Sequence, residues 1–399
     1  MARIILKPGK EAAVERYHPW VFSGAIHDIE GSVSEGELVA VFSSKRKFLA
    51  QGHYYTGSIA VKLFSFEEVK IDDSYWKSKL YKAFLLRKKL EFTDDPMNNA
   101  YRLVFSEGDG LPGLIIDFYN GVAVFQAHSN GMHALAPVFV EGLKEIYGNH
   151  LKAVYDKSSE TMARSRQDKI KTSGNLQQDR YLFGTSQLGN ILEAGNSFLV
   201  DWERGQKTGF FLDQRYNRLL SKFFAKDKKV LNLFCYSGAF SVCALKGGAK
   251  LVCSVDSSKP AIEWTEENIR ANGFDPRVHP SVQMDVKKYL NESRDQFDMV
   301  VVDPPAFAKS HSVTNNALHA YVHINAAAIR KLNPGGILFT FSCSQAISRE
   351  LFLSAILSAS LETGRELRLL HHLWQAPDHP VRMYHPEGSY LKGFILMVD

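Results

Sequence analysis

The sequence predicts an α/β protein whose C-terminal half is a doubly wound, mostly parallel sheet. A small β-barrel and a central α+β unit precede it. Three observations carry this reading. From residue 229 onward, apolar strand-like runs alternate with helical patterns, as βα units require. Within the first seventy residues, short apolar runs are separated by Gly24, Gly31, Gly36, Gly52 and Gly57, as in small barrels. Between these regions, Leu114–Phe118 and Val122–Gln126 flank Tyr119-Asn120-Gly121, and Asn-Gly is a strong hairpin signal.

The barrel strands are Leu38–Phe42, Phe48–Ala50 and Ile59–Phe64. Residues 1–72 form this unit, and their nine Lys or Arg balance nine Asp or Glu. Over 74–92, Tyr75, Trp76, Leu80, Phe84, Leu85 and Leu90 recur at helical spacing. Lys77, Lys79, Lys82, Arg87, Lys88 and Lys89 stand there against Glu91 alone, a net +5 equal to that of the whole chain. The segment 73–97 therefore predicts a linker helix with a basic face, either merely solvated or a contact for phosphates. Residues 98–195 make the central unit, with a helix over 132–147 and a polar surface run holding Lys157, Arg164, Arg166, Lys169 and Lys171. The last unit, 196–399, contains seven strand candidates: Lys229–Phe234, Leu251–Val255, Val278–Gln283, Phe297–Val302, Ile337–Phe341, Glu366–Leu370 and Phe394–Val398. Helices are expected at 239–246, 258–272, 317–332 and 349–363.

Composition excludes several classes. The chain has 399 residues, 45% of them hydrophobic, enough for packed cores. No run of about 18 apolar residues predicts a membrane span, and the N-terminus has too short an apolar run for a signal-peptide core. Four cysteines without a CxxC pair argue against a disulfide scaffold and a structural zinc site, so no metal is expected. A cytoplasmic protein with reduced thiols is the simplest reading.

The chemistry-bearing motifs lie at the carboxyl ends of the predicted parallel strands. Asn232-Leu233-Phe234-Cys235-Tyr236-Ser237-Gly238 joins the first strand to a helix. It lacks the full GxGxxG fingerprint, so a pyrophosphate is disfavoured and a smaller, less anionic nucleoside ligand is expected. Asp256 ends the next strand, placed to accept from ribose hydroxyls, and Asp285 follows the third. Either would be ordinary singly, but Asp303 makes a third acid after successive strands. The fourth strand leaves the sheet through Asp303-Pro304-Pro305, where two prolines stiffen the chain. The fifth ends in Ser342-Cys343-Ser344, beside Asp303. Cys235, Cys243 and Cys253 read as inert core thiols; Cys343 is placed to attack a bound base.

With Gly205-Gln206-Lys207-Thr208-Gly209-Phe210-Phe211-Leu212-Asp213-Gln214-Arg215, Asp378-His379-Pro380 and Pro386–Phe394, these segments resemble a known family. The C-terminal half is similar to class I S-adenosylmethionine-dependent methyltransferases, with a seven-stranded Rossmann-like sheet. The whole chain resembles the bacterial 23S ribosomal RNA large-subunit (cytosine-5) methyltransferases that carry an N-terminal PUA domain. The resemblance implies S-adenosylmethionine as cofactor and large-subunit ribosomal RNA as partner, with no membrane partner and room for a homodimer. It carries over Cys343 as the nucleophile that adds to cytosine C6, and Asp303 as the group on the cytosine edge. It assigns the cofactor to Asn232, Phe234, Tyr236, Ser237, Gly238, Asp256, Asp285, Asp213, Gln214 and Pro304. RNA contacts are expected at Lys82, Lys88, Lys89, Arg164 and Arg166.

One departure stands out. Many RNA cytosine-5 methyltransferases have a second Cys after the prolines, where this chain has Ala306; the branch it resembles also lacks that Cys. The base that removes the C5 proton is not identified: His379 and Glu387 are candidates, with a structural role at least as well supported. Two other functions compete. Amino-group methylation of a base is suggested by Phe307, although Asn-Pro-Pro replaces Asp-Pro-Pro in such enzymes. A non-catalytic RNA-binding assembly factor is disfavoured by the nearly intact cofactor motifs, as a nicotinamide-dependent dehydrogenase is by the loop around Gly238.

Overall fold

The computed structural model describes residues 1–162, 180–187, 189–307 and 314–399. The chain divides into two compact units. One is Met1–Gly189 with Val200–Phe210 and Pro377–Gly388; the other is Asn190–Leu199 with Phe211–Ala376 and Ser389–Asp399.

The first unit begins with strands β1 (Ala2–Leu6), β2 (Trp20–Phe22), β3 (Ile26–Glu30), β4 (Leu38–Phe42), β5 (Phe48–Tyr54) and β6 (Ile59–Ser65), with the short helix α1 (Ala12–Glu15) after β1. They form one sheet in the order β2-β6-β5-β4-β1-β3, in which only β1 and β4 run parallel. Ile4, Leu6, Val39, Val41, Val61 and Leu63 alternate along their strands and share one apolar core, the period-2 signal of a half-buried sheet.

Helix α2 (Asp73–Lys89) follows, started by Asp72, whose carboxylate accepts from the Tyr75 amide at 3.1 Å. Its expected basic face is smaller than its composition suggests. Arg87 is fully buried, pairs with both oxygens of Asp109, and donates to Arg102 O at 2.7 Å and Asp378 O at 2.6 Å. Lys79 donates to Phe64 O at 2.9 Å, and burial brings its pKa down to about 8. Lys77 pairs with Glu145 at 2.7 Å. Lys82, Lys88 and Lys89 remain exposed.

The unit continues with β7 (Ala100–Phe105), β8 (Leu114–Tyr119), β9 (Val122–Ala127), helices α3 (Asn130–Ala134) and α4 (Ala136–Tyr147), then β10 (Ala153–Asp156), α5 (Ser159–Met162) and β11 (Tyr181–Gly184). The sheet order is β11-β10-β9-β8-β7. Asn120 and Gly121 both adopt positive φ, 48° and 99°, as a two-residue hairpin turn demands. Arg164 and Arg166 lie outside the described residues.

His53 on β5 is buried in this unit, stacked on Trp76 at 5.6 Å and edge-on to Phe64 at 5.0 Å. Its Nδ1 has no hydrogen-bond partner among the described residues, and burial drives its pKa from 6.5 to about 4. The unfolded chain therefore binds this proton first as pH falls. The stability His53 permits is complete above about pH 6.5 and declines toward pH 4, by about 3 kcal/mol in all. Urea titrations between pH 7 and 4.5 should show a flatter acid limb in His53→Leu than in the wild type; identical limbs would clear His53 of any part in acid unfolding.

The second unit takes in all but the outermost residues of β12 (Gly189–Glu193) and β13 (Asn196–Val200), which pair as a hairpin. Helix α6 (Arg215–Phe224) then leads into β14 (Lys229–Leu233), α7 (Ala239–Lys246), β15 (Leu251–Asp256), α8 (Lys259–Ala271), β16 (Ser281–Gln283), α9 (Val286–Glu292), β17 (Phe297–Val302), α10 (Thr314–Arg330), β18 (Leu332–Ser342), α11 (Arg349–Thr363), β19 (Leu367–Leu373) and β20 (Lys392–Val398). The seven strands are ordered β16-β15-β14-β17-β18-β20-β19, with β20 antiparallel to both neighbours. This is the doubly wound α/β sheet that the alternation predicts. Its order reverses at β14, and ligands of such sheets bind beyond the carboxyl ends of the strands at that reversal.

Several elements differ in extent from expectation: β19 runs to Leu373 rather than Leu370, and β20 begins at Lys392 rather than Phe394. β16 begins at Ser281 rather than Val278, which is 58% exposed. β18 begins at Leu332. Helices α6 and α9 are additions to the predicted set.

Candidate active site

The turn after β14 is built from strained backbone. Phe234, Tyr236 and Gly238 have φ of 58°, 47° and 71°. A side chain at Gly238 would also meet Thr265 Cγ2 at 2.6 Å, so only glycine suits that position. The turn is anchored from α8: Thr265 Oγ1 donates to Tyr236 O at 3.0 Å and Asn268 Nδ2 to Ser237 O at 2.8 Å. Phe211 and Trp264 both meet the Tyr236 ring edge-on, at 5.1 and 5.7 Å. Asp256, at the end of β15, accepts from the Tyr236 amide at 3.1 Å and the Ser258 amide at 2.9 Å. Its carboxylate is thus oriented by the turn that it faces.

Two of the expected cofactor residues also have partners within the protein. Asn232 is buried and donates to Ser241 Oγ at 2.8 Å, so its side chain braces the start of α7 from within. Asp285 is exposed and accepts from the Lys288 amide at 3.0 Å as the N-cap of α9. The cap uses Oδ1 of Asp285.

At the neighbouring strand ends, Asp303 follows β17 and Cys343 follows β18. Cys343 is half-buried, with Sγ 3.9 Å from Pro304 O. The other thiols are buried: burial pushes Cys243 up to about 12 and raises Cys235 and Cys253 as well. Asp303 Oδ2 accepts from Gln214 Nε2 at 3.0 Å. Gln214 Oε1 in turn accepts from Asn217 Nδ2 at 2.6 Å, and Asn217 also donates to Trp374 O at 3.1 Å. This chain fixes which way the Gln214 amide faces, so the Asp303 oxygen is held as an acceptor. Asp213 accepts from the Tyr390 hydroxyl, and its carbonyl accepts from Ala376 N at 2.9 Å.

Helix α6, which supplies Asn217, turns polar residues inward. Arg215, Asn217, Arg218 and Ser221 are buried, while Phe223 is 79% exposed. Arg218 makes a two-pronged pair with buried Glu193, both bonds at 2.6 Å, with Arg215 at 3.6 Å from the same carboxylate. Phe307 packs on Tyr321 at 4.8 Å, within the core of the sheet's helical layer.

His379 and Glu387 belong to the first compact unit. His379 is buried, pairs with Asp378 at 2.8 Å and packs on Phe105; Glu387 pairs with His18 at 3.4 Å. These contacts give both residues structural work. Among the described residues, no group of three His, Cys, Asp or Glu side chains is placed to hold a metal ion.

Comparison with known proteins identifies the domains and the family. Residues 180–383 match the model of an S-adenosylmethionine-dependent methyltransferase family, and residues 4–66 match a PUA-like domain. A protein of Enterobacter sp. (strain 638) named ribosomal RNA large subunit methyltransferase I is 37% identical over 401 residues, covering 99% of each chain. A Klebsiella pneumoniae protein of the same name is also 37% identical, covering 99% of this chain and 98% of its own. A Streptococcus mutans structure described as a SAM-dependent methyltransferase superposes with a TM-score of 0.83, covering 100% of both chains at 24% identity, which speaks to fold alone.

Proposed function

We propose that this chain, which belongs to the S-adenosylmethionine-dependent methyltransferases typified by ribosomal RNA large subunit methyltransferase I, methylates C5 of a cytosine in large-subunit ribosomal RNA. The observation that carries the reading is the half-buried Cys343 thiol beside the Asp303-Pro304 turn. Cytosine C5 is a poor nucleophile. Addition of the Cys343 thiolate to C6 forms a carbon–sulfur bond and moves the ring electrons to C5, which becomes an enamine carbon. When bound, S-adenosylmethionine supplies a methyl group activated by its sulfonium. Loss of the C5 proton to a base then expels the thiolate and restores the ring. Asp303, held as an acceptor by Gln214, suits the exocyclic amine of cytosine.

The left-handed turn over Phe234–Gly238 and the oriented carboxylate of Asp256 fit a nucleoside whose ribose hydroxyls donate. Tyr236, Ser237, Asp213, Gln214 and Pro304 complete the proposed cofactor wall. Acidic surroundings favour a positive sulfonium.

RNA in which cytosine is replaced by 5-fluorocytosine tests the covalent route. Fluorine is not lost as a proton, so the Cys343–C6 bond should persist and give a protein–RNA conjugate that survives denaturing electrophoresis. Amino-group methylation forms no such bond, and absence of a conjugate during methyl transfer would overturn the route.

RNA contact is proposed for the exposed Lys82, Lys88 and Lys89 of α2. Reversing all three to Glu should weaken binding and flatten the slope of log affinity against log salt, by roughly 0.7 to 0.9 for each phosphate that is no longer neutralised. An unchanged slope would leave the helix a linker.

A further inference from the structure

Lys392 opens β20 directly opposite Ser342, the residue before the candidate nucleophile. It is 5% exposed, and its Nζ donates to Ser344 O and Ile347 O, both at 2.7 Å. Those two carbonyls belong to the turn that carries Cys343, and Ile347 N closes the turn on Ser344 O at 3.2 Å. The ammonium is therefore tied to both ends of the short segment after the thiol.

A buried cation is costly unless an anion faces it. No carboxylate among the described residues forms an ion pair with Lys392; its charged or titratable neighbours are Cys343 and Arg349. Burial brings the Lys392 pKa down to about 8, opposed by Cys343. Arg349, at the start of α11, stacks on Trp374 at 3.7 Å and approaches His372 Nδ1 on β19 at 3.4 Å. Tyr321 on α10 bonds Ser344 Oγ at 3.1 Å and is kept neutral by burial. Asp303, from β17, is the acidic group at the neighbouring strand end. Arg349 acts on Lys392 as a second cation and has the Glu350 carboxylate beside it, so of the groups that act on Lys392 the Cys343 thiol is the one able to become its counter-ion.

We propose that Lys392 is a positioning residue for Cys343: it clamps the Ser342–Ile347 turn and supplies the positive charge that holds the thiol as thiolate. This rests on the reading of Cys343 as nucleophile. Its consequence is a larger thiolate fraction at neutral pH than an ordinary cysteine has, without a general base at the sulfur.

The test is alkylation of Cys343 by iodoacetamide in the full-length protein, read by peptide mass from pH 5.5 to 10, with the three buried thiols as internal controls. The wild-type midpoint should fall below about 8.5, the ordinary thiol value. Lys392→Gln keeps a donor for the carbonyls and removes the charge; it should react about tenfold more slowly at pH 7, one unit of midpoint. Lys392→Arg should stay close to wild type. In methyl transfer, Lys392→Gln should lose kcat at pH 7, keep its KM for S-adenosylmethionine, and recover rate toward pH 9, a recovery that a purely structural defect would not show. A wild-type midpoint at or above 8.5 overturns the proposal even if the Gln variant does not fold, as do superimposable wild-type and Gln profiles. Retained methylation in Cys343→Ala would instead sink the nucleophile reading, leaving the alkylation profile as a separate result.

Discussion

Cys343→Ala should lose methyl transfer by roughly 10³-fold or more while binding S-adenosylmethionine as tightly as the wild type. The thiolate splits one difficult substitution into two easier steps, and the end of β18 carries no other thiol to add to C6. Cys343 follows β18, whereas the proposed ribose contacts, Asp256 and the Phe234–Gly238 turn, lie at the end of β15 and after β14. Calorimetry with the cofactor and single-turnover methylation of RNA separate the two effects. Full activity in the variant would exclude covalent catalysis.

Arg87→Met should cost about 3–5 kcal/mol of stability, the usual result of removing one partner from a buried charge pair. The Arg87 guanidinium is fully buried and serves Asp109, Arg102 O and Asp378 O. Its loss leaves the Asp109 carboxylate, 3% exposed, short of its main counter-charge. The double variant Arg87→Met/Asp109→Leu should recover part of the loss, because it removes the stranded charge. Urea midpoints of the three proteins measure this; a loss below about 1 kcal/mol for Arg87→Met would contradict it.

The same residue shows where sequence reading stops. Arg87 is one of the six basic residues counted in the α2 segment, but counting charge says nothing about burial. It faces inward beside Leu80 and Ala83, and half of the expected basic face turns out to be paired or buried. The sheet was legible because its strands are apolar runs that stop abruptly at polar residues. That pattern locates Asp256, Asp303 and Cys343 at strand ends, as the structure does. Helix α6 was not legible. Its buried face is Arg215, Asn217, Arg218 and Ser221, so apolar periodicity points the wrong way and the Gln214–Asn217 support for Asp303 goes unseen. Lys392 lies before the expected strand Phe394–Val398, and only the antiparallel register of β18 and β20 sets it across from Ser342.

The net charge of +5 accordingly carries less information than its placement. The basic residues that remain exposed on α2 are Lys82, Lys88 and Lys89.

Mass-spectrometric mapping of large-subunit ribosomal RNA from a strain lacking the gene tests the proposed reaction most directly. Cytosine-5 methylation by this chain predicts the loss of one 5-methylcytosine, restored by the wild-type gene and not by Cys343→Ala. An unchanged 5-methylcytosine content in the deletion strain would contradict it.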